Sequence, residues 1–159
     1  MIKRELYMNR IRPFIGGELI KVMTGIRRSG KSVMLELIKE ELAEAGVAPS
    51  QMISINFEDM RYSHLQTATA LHDEIIKRAE GIEGKAYLFF DEIQEVEGWE
   101  KCVNSLRVAL DCDIYITGSN AKLLSGELAT YIGGRYVEFV IYPFSFAEFL
   151  ELYHTIAPS

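Results

Sequence analysis

Gly25-Ile26-Arg27-Arg28-Ser29-Gly30-Lys31-Ser32 is the stretch that decides how the chain folds. It fits the pattern G-x-x-x-x-G-K-[ST] of a phosphate-binding loop. Immediately upstream, residues 18–24 read as an apolar strand (Leu19, Ile20, Val22, Met23) that runs straight into the loop. Downstream, Met34, Leu37, Ile38, Leu42 and Ala45 recur at helical spacing, with Lys39, Glu40 and Glu44 on the other side.

A strand, a glycine turn and a helix N-terminus are the parts a phosphate needs. Gly25 and Gly30 can adopt backbone angles closed to residues with a Cβ, so successive N–H groups can converge on one anion. The helix dipole adds partial positive charge at the same place. Lys31 would reach the β- and γ-phosphates, and the Ser32 hydroxyl would complete a Mg²⁺ shell. The candidate nucleotide contacts are therefore Gly25, Ile26, Arg27, Arg28, Ser29, Gly30, Lys31, Ser32 and Val33. Arg27 and Arg28 could lean on phosphates, but long basic side chains inside a loop more often reach water or a partner surface. An incidental Lys-Ser after a glycine turn is the bland alternative, and the flanking strand and helix weigh against it.

The chain has 159 residues, enough for one domain with its own core. At 48% hydrophobic and 25% charged residues it has an ordinary globular composition. A net charge of −6 argues against the whole chain as a nucleic-acid-binding module, leaving DNA contact only to parts not present. The start, Met1-Ile2-Lys3-Arg4-Glu5, has no apolar signal-peptide core, and no apolar run reaches membrane-spanning length. A cytoplasmic location without membrane contact is expected. Cys102 and Cys112 form no metal-like pattern and are expected to be reduced thiols. His64, His72 and His154 are scattered and read as surface or packing residues.

Further elements alternate. Residues 4–15 read as a short helix ending near Pro13, residues 52–57 as a second strand, and residues 68–80 as a helix closed by Gly81. Residues 86–92 form an apolar strand ending in two carboxylates, followed by a helix over residues 99–110. Strands over residues 113–117 and 136–142 follow, separated by a helical patch at residues 123–129, and a last helix is expected at 146–153. This alternation indicates an α/β fold, a parallel sheet with helices on both faces.

The apolar run before Asp91 places it at the end of a buried strand, the sheet edge where open α/β folds bind ligands. Asp91 would hold Mg²⁺ opposite Ser32, and Glu92 would polarise the attacking water. A solvated strand end is the commoner fate of an isolated Asp-Glu, but the upstream loop favours the functional reading. Ser119 and Asn120, with Thr117 behind them, end the next strand and can reach a γ-phosphate or the lytic water. They also suit a helix N-cap, and both roles can hold together. Arg135, after Gly133-Gly134, is either a solvated charge or an arginine finger acting on a neighbouring subunit. Asn56, Glu58 and Asp59 end the second strand at the same edge and could line the site.

With Gly-Ile-Arg-Arg-Ser-Gly-Lys-Ser, Phe-Phe-Asp-Glu-Ile-Gln, Thr-Gly-Ser-Asn and Gly-Gly-Arg-Tyr-Val-Glu-Phe in this order, the chain resembles the prokaryotic AAA-type ATPase domains of the additional-strand, catalytic-glutamate class. The resemblance implies a three-layer P-loop NTPase with sheet order 5-1-4-3-2, and ATP and Mg²⁺ bound at the C-terminal strand ends. Lys31, Ser32, Asp91, Glu92, Ser119 and Asn120 match the family motifs, and Arg135 matches its Gly-Arg. Residues 1–159 are then the ATPase domain at the start of a longer protein. Such a protein would carry a C-terminal domain, or meet a protein partner, and would self-associate.

The leading expectation is ATP binding and hydrolysis that drives conformational change in a larger assembly. A nucleotide-dependent switch with little intrinsic hydrolysis is the alternative. Adjacent Asp91-Glu92 counts against a small-molecule kinase, and the lack of an Asn-Lys-x-Asp element counts against a GTPase.

Overall fold

The protein is described by a computed structural model covering residues 2–26, 30–119, 123 and 132–143. Its elements in order are α1 (Ile2–Ile11), β1 (Ile20–Thr24), α2 (Lys31–Glu44), β2 (Met52–Asn56), α3 (Ala68–Ala79), β3 (Ala86–Asp91), α4 (Trp99–Ala109), β4 (Cys112–Gly118) and β5 (Tyr136–Val140). The five strands form one sheet in the order β2-β3-β4-β1-β5, parallel at every pairing. Read from the other edge this is 5-1-4-3-2, the order that the family resemblance implies.

Alternation along the central strands divides the core into two layers. Val22, Leu88, Phe90, Ile114 and Ile116 pack with Leu71, Ile75, Trp99, Val103 and Leu106 from α3 and α4. Their neighbours in sequence, Met23, Phe89 and Tyr115, turn to the other face and meet Ile11 of α1 and Met34, Leu35, Ile38 and Leu42 of α2. Helices therefore cover both faces, which is why the central strands read as nearly continuous apolar runs. Leu35, absent from the periodicity read in the sequence, is buried, whereas Leu37 is half-buried.

Local chemistry sets the boundaries. The first helix stops at Ile11 rather than continuing to residue 15, because Pro13 lacks the N–H that helix continuation needs; Arg12–Phe14 form a 3-10 turn instead. Thr67 caps α3, its hydroxyl accepting from the Ala70 N–H at 3.2 Å. The first strand begins at Ile20, two residues later than its apolar run, and the last ends at Val140. Residues 60–65, unassigned from sequence, form 3-10 turns capped by Asp59. Of the helices expected at residues 123–129 and 146–153, all but Leu123, which is buried and helical, lie outside the described residues.

One feature of β1 runs against its apolar reading. Lys21 is fully buried and forms an ion pair with Asp113 of β4, also fully buried. The Lys21 ammonium also donates to the Gly17 carbonyl at 2.9 Å. Asp113 Oδ2 accepts from the Tyr115 hydroxyl at 2.5 Å and from the Gly16 N–H at 2.8 Å. Burial pushes the Lys21 ammonium below its ordinary range and the Tyr115 hydroxyl above its own. This network ties the turn before β1 to the N-terminal ends of β1 and β4, away from the phosphate loop.

Candidate functional site

The C-terminal ends of β1, β3 and β4 meet at one edge of the sheet. Register pairs Met23 with Thr117 and Thr24 with Gly118 across β1 and β4, and Phe90 with Ile116 across β3 and β4. Asp91 thus stands beside Thr117. One step earlier on the same face, Phe89 and Tyr115 stack at 5.0 Å, fixing the two strands below the polar pair.

Gly30 opens α2 in the left-handed region, at φ 99°, and a Cβ there would meet nothing within 4 Å. The turn delivers Lys31 and Ser32 into the first turn of a 14-residue helix, whose leading N–H groups lack intrahelical partners. Lys31 is buried, and its ammonium donates to the Gly25 carbonyl at 2.6 Å and lies 3.3 Å from Glu92 Oε1. The Gly118 carbonyl lies at 3.4 Å. The Ser32 hydroxyl donates to Asp91 Oδ2 at 2.5 Å, joining the phosphate loop to the end of β3 across a sequence separation of 59 residues.

Thr117 completes the centre. Its hydroxyl donates to Asp91 Oδ1 and accepts from the Glu92 N–H at 2.9 Å. That second bond holds Glu92 in the left-handed region (φ 58°, ψ 52°), where no other described non-glycine residue is found. Such a conformation costs on the order of 1–3 kcal/mol and persists where its surroundings impose it, commonly at functional sites. The Glu92 carboxylate is held from both sides: Oε1 faces Lys31, and Oε2 accepts from the Gln94 amide. The result is one cation, two carboxylates and two hydroxyls within a mostly buried cluster, next to a helix N-terminus.

Other expected residues take different positions. Ile26 and Val33 flank the loop with exposed side chains, and Arg27, Arg28 and Ser29 lie outside the described residues. Ser119 is half-buried directly after β4, and its carbonyl accepts from the Leu123 N–H at 2.9 Å, as an N-cap residue's does. Asn120 lies outside the described residues. Arg135 is exposed and precedes β5; its carbonyl accepts from the Ile20 N–H. It stands at the N-terminal edge of the sheet, about 16 Å of strand from the loop edge for five residues of β5. Asn56 and Asp59 are engaged in local turns: Asn56 Oδ1 accepts from the Glu58 N–H, and Asp59 pairs with Arg61.

Thr117 and Gln94 do more in the site than their sequence positions announce. The signal that could find Thr117 is strand parity, since it shares a face with Tyr115 and aligns with Asp91. Gln94 carried no such signal, because its contact depends on the backbone turn at Glu92. Cys102 and Cys112 are free thiols, as expected. No group of three or more His, Cys, Asp or Glu side chains among the described residues could hold a metal. No helix among them is long and apolar enough to cross a membrane.

Comparison with known proteins agrees with this geometry. The family described as AAA domain matches residues 17–150. A protein of Haemophilus influenzae described only as uncharacterised is 48% identical over 151 residues, covering 95% of this chain and 38% of that protein. An uncharacterised protein of Methanocaldococcus jannaschii is 41% identical over 133 residues, covering 83% of this chain and 28% of its own length. The chain thus spans well under half the length of these curated relatives. The crystal structure of a DNA polymerase III gamma subunit-related protein from Thermotoga maritima superposes with a TM-score of 0.64 at 12% identity, over 94% of this chain and 49% of the other. At that identity the likeness speaks for the fold alone. Family match, sheet order and loop position agree: the chain belongs to the AAA domain family and is a AAA-type P-loop ATPase domain.

Proposed function

We propose that this domain binds ATP at the Gly25–Ser32 loop and hydrolyses it with Mg²⁺, driving conformational change in a larger protein or assembly. The observation that carries this reading is the convergence of Lys31 and Ser32 from the loop onto Asp91 and Glu92 from β3. The donor set fits the proposed ligands. An ammonium and the unpartnered N–H groups of a helix start suit phosphate oxygens. A hydroxyl and one carboxylate are hard oxygen donors too few to bind a cation alone, as suits Mg²⁺, which shares its shell with substrate phosphates and water. Ser32 and Asp91 would hold the ion, which would supply charge neutralisation for the phosphates.

The chain's own groups divide the remaining work. Lys31 leaves the Gly25 carbonyl for the phosphates and offsets charge spread over the transferred group. Thr117 keeps Asp91 and the backbone of Glu92 in fixed relation. Glu92 orients a water and takes its proton as the water oxygen bonds to the γ-phosphorus. The bond from the γ-phosphorus to its bridging oxygen breaks, and the electron pair leaves with ADP. Ser119 and Asn120 follow β4 and would contact the γ-phosphate or the water, and Arg135 would act on a neighbouring subunit's nucleotide upon self-association.

A second reading, a nucleotide-dependent switch with little intrinsic hydrolysis, is favoured by one observation: both Glu92 oxygens are already engaged by Lys31 and Gln94. Steady-state turnover of Mg-ATP by the wild type and Glu92→Gln separates the two. Hydrolysis predicts that the variant binds ATP but loses at least about a hundredfold in kcat. Equal, near-zero rates with intact binding would favour the switch.

A further inference from the structure

The motif residue Gln94 is not assigned a role by the hydrolysis reading, yet it touches the one group that reading makes the base. Its amide N–H donates to Glu92 Oε2. The other end of the carboxamide, Oε1, is buried with no hydrogen-bond partner among the described residues. It lies against Gly118, where a Cβ would come within 2.3 Å of Gln94 Oε1 and 2.9 Å of a Leu123 methyl. The end of β4 can therefore carry no side chain if Gln94 is to keep this position. Three features thus bear on one hydrogen bond: the left-handed turn at Glu92, the bare backbone at Gly118, and the buried carboxamide oxygen.

The two oxygens of Glu92 are held by unlike partners. Lys31 is a cation that phosphate would recruit, whereas the Gln94 amide is neutral and carries no charge to draw it to phosphate. We propose that Gln94 is a positioning residue for Glu92: it keeps Oε2 tethered when the γ-phosphate draws Lys31 away, leaving Oε1 aimed at the attacking water. The base is then released only when the phosphate to be attacked has arrived, and it is released already oriented. This rests on the hydrolysis reading of Glu92.

The test uses Gln94→Ala, Gln94→Glu and Gly118→Ala, each alone and combined with Glu92→Gln, in steady-state ATP hydrolysis with a fluorescent ATP analogue to count binding sites. Gln94→Glu keeps the shape but replaces the N–H donor with an acceptor. Each single variant should lose about tenfold to a hundredfold in kcat, with KM within about twofold of wild type and full binding stoichiometry. None should lose more in the Glu92→Gln background, because residues acting through one group are not additive. Gly118→Ala should likewise add nothing to Gln94→Ala. Wild-type kcat in Gln94→Glu, a raised KM with unchanged kcat, or losses that add to that of Glu92→Gln would overturn the proposal while leaving the hydrolysis reading intact. Should one variant fail to bind nucleotide, the other two decide by the same criteria. Wild-type turnover no faster than that of Glu92→Gln would overturn both.

Discussion

Substituting Asp113 by alanine should be among the most damaging single changes available outside the site, although Asp113 makes no contact with it. The carboxylate is fully buried and receives the Lys21 ammonium, the Tyr115 hydroxyl and the Gly16 N–H. Removing it leaves the ammonium with the Gly17 carbonyl as its one hydrogen-bond acceptor among the described residues and orphans two further donors. Breaking a buried pair from one side typically costs about 3–5 kcal/mol, since the remaining charge is uncompensated. For 159 residues the unfolding entropy near the midpoint is roughly 0.33 kcal/mol/K, so the melting temperature should fall by about 9–15 °C. Calorimetry and urea denaturation of Asp113→Ala, Lys21→Met and the double variant would measure this. The double variant should recover at least about 1 kcal/mol over the sum of the singles, because it removes both charges. Since the network lies at the far edge of the sheet, ATP affinity of the folded fraction should be unchanged. A loss below about 1 kcal/mol, or singles that add, would refute the claim that the pair is one buried unit.

Thr117→Val keeps the side-chain volume but deletes the hydroxyl shared by Asp91 and the Glu92 N–H. It should cost about 1–3 kcal/mol through the unpaired buried donor and lower kcat more than it raises KM; unchanged urea stability and kcat would contradict the bridge. Burial pushes the Cys102 thiol up to about 12 and the Cys112 thiol up to about 11. The folded state therefore keeps protons that unfolded thiols release near pH 8.5, and the stabilisation is complete below that value and lost as pH rises through the folded ones. Urea denaturation from pH 8.5 to 11 should show stability falling by up to roughly 1.4 kcal/mol per unit per thiol, and Cys102→Ala should remove its share of the slope. At pH 7.5, Cys102 should resist maleimide until the protein is denatured.

Much of this architecture was legible because it rests on periodicity and a specific motif. The loop pattern with its flanking strand and helix placed Lys31 and Ser32, and the apolar run of β3 placed Asp91 at the same edge. Sheet order was another matter: hydrophobic pattern says that strands are buried, not which neighbours they take, and only the family resemblance supplied it. A lysine in an apolar strand carries no mark of its partner: Asp113 lies 92 residues from Lys21 and meets it through the β1–β4 register. Thr117 stands behind Ser119 and Asn120 in a reading of the strand end, yet it is its buried hydroxyl that reaches both carboxylate residues. The contacts of Gln94 depend on a left-handed glutamate, a backbone state that sequence propensity disfavours and therefore does not announce.

The account stands most directly on whether the loop around Lys31 takes a nucleotide. Calorimetric titration of ATP into the wild type and Lys31→Ala, each with and without Mg²⁺, addresses this. One site per chain is predicted, tighter with Mg²⁺. Its affinity should fall by roughly tenfold or more in Lys31→Ala, the value of one charge-assisted hydrogen bond to phosphate. Binding of equal strength to wild type and Lys31→Ala, or no binding to the folded wild type, would contradict it.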